Sequence, residues 1–102
     1  MVALIGRFKM QPGKEDEALA ELRRMTEAVE ANEPGALVYL CHRSQQDPAE
    51  IVFFEVYADD QAFADHGKTA HMGALRAKFA ELFDPSAVKI ERLERVGGFT
   101  RT

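Results

Sequence analysis

The sequence contains no tryptophan, a single cysteine and, in Asn32, a single asparagine. Cys41 alone cannot close an internal disulfide, and a cysteine-based zinc site is excluded. No apolar run approaches the roughly 20 residues of a membrane-spanning helix. The start, Met1-Val2-Ala3-Leu4-Ile5-Gly6-Arg7, lacks the basic segment and small-residue cleavage site of a secretory signal, so a cytoplasmic location is the expectation. Basic residues are few and scattered: 13 Lys and Arg against 17 Asp and Glu, a net charge of −4. Without a phosphate-tracking stripe, nucleic acid and acidic membrane surfaces are poor partners. There is no glycine-rich phosphate loop or dinucleotide fingerprint. The three histidines, His42, His66 and His71, fall in different elements without a ligand-spaced pair. Neither a metal site nor a bound cofactor is expected.

What is present suits one small domain over residues 1–102, with 46% hydrophobic residues available for a core. Val2 to Met10 reads as a strand, broken by Gln11-Pro12-Gly13. The acidic run Glu15-Asp16-Glu17 suits the positive end of a helix. Ala18, Leu22, Met25 and Val29 then form one apolar helical stripe, which Asn32-Glu33-Pro34-Gly35 ends. Ala36 to Arg43 and Ile51 to Tyr57 read as strands joined by a polar turn into a hairpin. Asp59 or Asp60 can cap a short helix carrying Ala62, Phe63 and His66. Thr69 can cap another with Met72, Leu75, Phe79 and Leu82, stopped by Pro85. Ala87 to Val96 reads as a last strand and Gly97 to Thr102 as a tail. The order β-α-β-β-α-α-β is the split pattern of an α+β, ferredoxin-like fold, a four-stranded antiparallel sheet with helices on one face.

Strand alternation puts Val52, Phe54 and Val56 on one face of the third strand and Ile51, Phe53, Glu55 and Tyr57 on the other. Helices can cover only one of two half-apolar faces. A second copy packing sheet against sheet is therefore expected, because large exposed apolar patches are rare on monomers. The reading assigns Ile51, Phe53 and Tyr57 to that homodimer interface.

The segment Phe53-Phe54-Glu55-Val56-Tyr57, followed by Phe63, His66 and Thr69-Ala70-His71-Met72, resembles the antibiotic biosynthesis monooxygenase family, and the order of elements matches along nearly the whole chain. The resemblance implies a dimeric α+β barrel with a cavity between helices and sheet. It also implies oxidation of a small electron-rich aromatic or quinol by O2 without an added cofactor. Haem-degrading relatives use an asparagine near the first strand and a supporting tryptophan, and this chain offers neither.

Such chemistry needs an apolar enclosure, a base to remove a phenolic proton, and a group that stabilises the anion. Histidine titrates near neutral pH and suits the base. His66 and His71 are the candidates, with His71 preferred because it opens a helix. Tyr57 can orient a substrate hydroxyl or serve as a buried tyrosine with a satisfied hydroxyl. Phe54, Phe63, Met72 and Phe79 are candidate cavity residues, as is Phe83, and Arg7 can stand at the mouth. Glu55 reads as a hydrogen-bonded structural carboxylate, and His42 as a surface residue. Two other functions remain open on this scaffold: a non-catalytic or ligand-binding protein, and an isomerase or cyclase with a histidine base. A cavity with an inward histidine favours an enzyme. A space filled by Phe and Leu favours the non-catalytic reading.

Overall fold

Alternation along the strands decides which residues meet the helices. The computed structural model describes residues 1–101. In β1 (Val2–Lys9) the residues Val2, Leu4, Gly6 and Phe8 are buried while their neighbours are less so. Pro12 and Gly13 turn the chain, and Gly13 adopts a φ of 81° that a side chain would resist. Its N–H donates to both carboxylate oxygens of Glu15, at 3.0 and 3.1 Å. This opens α1 (Glu15–Asn32), whose buried stripe is Ala18, Leu22, Met25 and Val29 with Glu21. Each large apolar side chain of the stripe contributes about 1.5–3 kcal/mol by burial.

The hairpin of β2 (Ala36–Arg43) and β3 (Glu50–Tyr57) follows. Next come α2 (Asp60–His66), capped by Asp59, and α3 (Ala70–Leu82), capped by Thr69. A 3₁₀ turn at Pro85–Ala87 leads to β4 (Lys89–Leu93). The sheet is antiparallel throughout, in the order β2-β3-β1-β4. The fold is thus the expected α+β, ferredoxin-like one. The last strand is shorter than Ala87–Val96, because Pro85 and the Asp84 side chain, which accepts from the Ser86 N–H at 2.9 Å, hold its first residues in the turn.

One face of the sheet packs on the helices. It carries Leu4, Phe8, Ile51, Phe53, Glu55 and Tyr57, with the aromatic cluster of Phe8, Phe53, Phe79 and Phe83 at its centre. Ile51, Phe53 and Tyr57 are at most 3% exposed. The expectation that these three form a subunit interface is therefore corrected: α1, α2 and α3 already cover them. The face without helices is the other parity. It presents Ala3, Ile5 and Arg7 beside Leu93, Glu91 and Lys89, and Val38, Leu40 and His42 beside Val56, Phe54 and Val52. A register shift between Ala36 and Val38 marks a bulge. It keeps Ala36 opposite Tyr57 while Val38 pairs with Val56.

Gly35 allows α2 to close on the start of β2. A Cβ there would stand 2.7 Å from the Cβ of Ala62. The Gly35 carbonyl accepts from the Ala58 N–H at 2.8 Å, so this junction holds the end of α1, β2, β3 and α2 together.

Candidate active site

Between the sheet and the pair α2–α3 lies a cavity of about 520 Å3, well inside the range of about 300–1,000 Å3 usual for small-molecule sites. Leu4, Phe8 and Phe53 form its floor, and Phe63, Met72, Leu75 and Phe79 its roof. Val88 and Ile90 stand at the rim and are 39% and 63% exposed, because β4 has no helix above it. Tyr39, Glu55 and His66 also line the cavity, and Arg76 lies exposed at its edge. The walls are thus apolar, with a few polar groups from β2, β3 and α2.

His66 is positioned from three directions. Its ring lies between those of Tyr39 and Tyr57, with centroids 5.5 and 5.3 Å away. Its backbone carbonyl accepts from the Thr69 hydroxyl at 2.9 Å, while the same hydroxyl oxygen caps α3 at the Met72 N–H. Its Nδ1 meets both carboxylate oxygens of Glu33, at 2.9 and 3.0 Å. An ionised carboxylate only accepts, so the hydrogen is on Nδ1. Among the described residues no sealed-off side-chain nitrogen or oxygen lacks a partner. The Nε2 of His66, which has no partner among the described residues, is therefore open to the space beside it.

His71 is held differently. Its Nε2 donates to Oε2 of Glu33 at 2.5 Å, and its ring does not line the cavity. The opening turn of α3 is further tied to α1 through Arg24. Arg24 pairs with the buried Glu21 and reaches the His71 carbonyl at 3.5 Å. Glu33, His66 and His71 are all nearly buried, with side chains 7–10% exposed. Their donor atoms lie within 4.8 Å of one another, so these residues are the ones that could hold a metal. At the separations seen here the three side chains are joined by hydrogen bonds. Ligand bonds of 2.0–2.2 Å around a tetrahedral ion would set the donors about 3.3 Å apart, whereas the contacts here are 2.5–3.0 Å.

Glu55 brings a carboxyl into the cavity. Burial pushes its pKa above the usual carboxylate range, and the hydrogen bond from Tyr57 and the proximity of His66 offset part of that rise. The Tyr57 and Tyr39 hydroxyls are both pushed up, first by burial and then by Glu55. Burial also raises the Cys41 thiol to about 11, which leaves it a poor nucleophile.

The residues named from the sequence therefore separate. His66, Phe63, Met72 and Phe79 line the cavity, and Tyr57 stands behind Glu55. Phe54 and Arg7 have the wrong strand parity and project from the face without helices. Arg7 donates to Glu50 at 3.4 Å there. Phe83 is buried in the core beside Phe8 and Phe79. His42 is exposed, with Nδ1 bonded to the Val52 carbonyl at 3.1 Å.

Two polar members of the site were not singled out in the sequence. Tyr39 carried no signal beyond a strand position. Glu33 was read only as part of a helix stop, yet it offered a signal: a carboxylate just past the negative end of a helix is electrostatically misplaced. The last turn of α1 has no basic residue to compensate it.

A family model described as antibiotic biosynthesis monooxygenase matches residues 1–78. A Caulobacter crescentus CB15 protein bearing that family's name is 31% identical, covering 94% of this chain and 90% of its own, with a TM-score of 0.86. A Pseudomonas aeruginosa protein is 28% identical over 94% of both chains, with a TM-score of 0.84. A Mycobacterium tuberculosis protein is 27% identical over 97% and 98%, with a TM-score of 0.85. No curated protein matches. With a family match over most of its length and a fold shared over 94% of it with a protein 31% identical, the chain belongs to the antibiotic biosynthesis monooxygenase family.

Proposed function

We propose that this protein oxidises a small electron-rich aromatic or quinol with O2, without a bound cofactor, and that His66 is the base. One observation carries the reading: an apolar cavity is lined by a buried histidine whose Nδ1 is engaged by Glu33 and whose Nε2 is free. A quinol and O2 together give a hydroxyquinone and water. His66 removes a phenolic proton, and the phenolate gives one electron to O2. The semiquinone radical and superoxide couple to form a carbon–oxygen bond, and protonation gives a hydroperoxide. Loss of the ring C–H proton with cleavage of the O–O bond leaves a new carbonyl and releases water. Glu55, whose pKa burial raises and which lines the cavity, is suited to passing a proton to the peroxide. The open cavity favours this reading over a non-catalytic protein, whose interior would be filled. Both His66 and His71 remain candidates from the sequence, and cavity access favours His66.

The same reading includes a homodimer formed through the sheet face without helices, where Ile5, Leu40 and Phe54 stand. Oxygen uptake with a panel of hydroquinones and naphthalenols, corrected for autoxidation, tests the activity. The protein should exceed background without added cofactor, and His66→Ala should lower turnover about 10²–10⁴-fold. No rate above background on any member, or normal turnover by His66→Ala, would overturn the reading.

A further inference from the structure

The contacts around Glu33 join three elements that the catalytic proposal uses only in part. Glu33 follows the last turn of α1, His66 ends α2 and His71 opens α3. Two imidazoles point a nitrogen at one carboxylate, at 2.9–3.0 Å and 2.5 Å, and all three side chains are nearly withdrawn from solvent. An imidazole can serve as a base at Nε2 only if its hydrogen is on Nδ1. In water the two neutral tautomers interconvert freely, so a protein that needs one must select it. A carboxylate facing Nδ1 makes that selection and also stabilises the imidazolium formed when the base takes its proton.

The carboxylate must itself be held. Nothing on α1 does so, since its last turn offers no cation and its dipole end repels the charge. The second donor comes from His71, at the shortest of the contacts. Thr69 links the two histidines mechanically, donating to the His66 carbonyl and capping the helix that His71 opens.

We infer that Glu33 is a positioning residue that fixes His66 in its Nδ1–H tautomer, with Nε2 toward the cavity, and that His71 acts on Glu33 as its second clamp, without contact with substrate. The inference rests on the proposal that His66 is the base. It adds that the acidic residue before Pro34-Gly35 belongs to the catalytic apparatus and that the two histidines have unequal duties.

The test separates tautomer from activity. Nitrogen-15 spectra of the wild-type imidazoles, recorded with both rings neutral, should show His66 protonated on Nδ1 and His71 on Nε2. In Glu33→Gln, which keeps the side-chain shape and loses the charge, the His66 signals should move toward a tautomer mixture. With an active substrate, kcat should fall about 10²-fold in that variant while KM changes little, and Glu33→Asp should recover part of the loss. His71→Gln retains a donor toward Glu33, so the His66 signals should keep the Nδ1–H tautomer and turnover should fall less than in Glu33→Gln, whereas loss of a true base costs about 10²–10⁴-fold.

An Nε2–H tautomer at His66 in the wild type would overturn the inference, and that measurement needs no variant to fold. So would unchanged spectra in a folded Glu33→Gln, or a collapse of turnover in a folded His71→Gln. One-to-one Zn(II) binding that disappears in Glu33→Gln would overturn it too, by assigning the cluster to a metal. If no substrate is ever turned over but the tautomer is fixed by Glu33, the positioning stands and only the reaction assignment fails.

Discussion

Tyr57 donates its hydroxyl hydrogen to Oε1 of Glu55 at 2.5 Å, two residues away on the same face of β3 and wholly inside the protein. The pair places a titratable carboxyl in an apolar wall, with Tyr57, His66 and Glu33 the titratable groups that perturb it. Burial raises the Glu55 pKa above its ordinary 4.5, so between the unfolded and folded values the native state holds the extra proton. Stability from this group is complete below the unfolded pKa and is lost as pH rises through the folded one. Denaturant unfolding followed upward from about pH 4.5 should therefore show a decline that is absent in Glu55→Gln. A slope identical in both proteins would assign the effect elsewhere.

Gly35→Ala should loosen the site without touching it. The new methyl would meet Ala62 at 2.7 Å, and the neighbour is a helix rather than a flexible tip. Overpacking of this kind costs about 1–3 kcal/mol. The variant should unfold at lower denaturant, and the His66 ring signals should shift as α2 moves away from Glu33. An unchanged midpoint would mean that α2 yields freely.

The two faces of β3 predict opposite fates for adjacent substitutions. On the proposed homodimer the wild type should sediment as two copies, and Phe54→Asp, which adds a charge to the face without helices, should sediment as a folded monomer. Phe53→Asp buries an unpaired charge beside Phe8 and Tyr39 and should unfold the chain. A Phe54→Asp dimer as tight as the wild type would exclude this face as the interface.

Much of the architecture was legible because it depends on periodicities. The stripe Ala18, Leu22, Met25 and Val29 and the alternation along β3 each follow from local geometry, and the caps Asp59 and Thr69 follow from local chemistry. Which parity of β3 the helices cover was not legible. Both faces are half apolar, and the choice depends on where α1, α2 and α3 settle. The candidate site was legible only where its residues stand in one stretch: Phe63, His66, His71, Met72 and Phe79. Glu33 lies more than 30 residues earlier, and no short-range pattern connects it to α2 or α3. The surroundings of the two histidines differ because α2 ends with a ring between Tyr39 and Tyr57 that lines the cavity, while α3 begins with one that meets Glu33 away from it. That is a difference of docking rather than of residue type.

The carboxylate contacts close loops of 33 and 38 residues, and such closures cost less entropy once the intervening hairpin has formed. The imidazole pair is therefore a late event in folding and an early loss on opening. Transient undocking of α2 and α3 would leave α1 and the sheet largely intact while releasing both rings from Glu33. The contacts that hold the two imidazoles would then have their own unfolding free energy, smaller than that of the whole chain. Hydrogen exchange at the α2–α3 amides, compared with that of β1 and β3, would measure the difference.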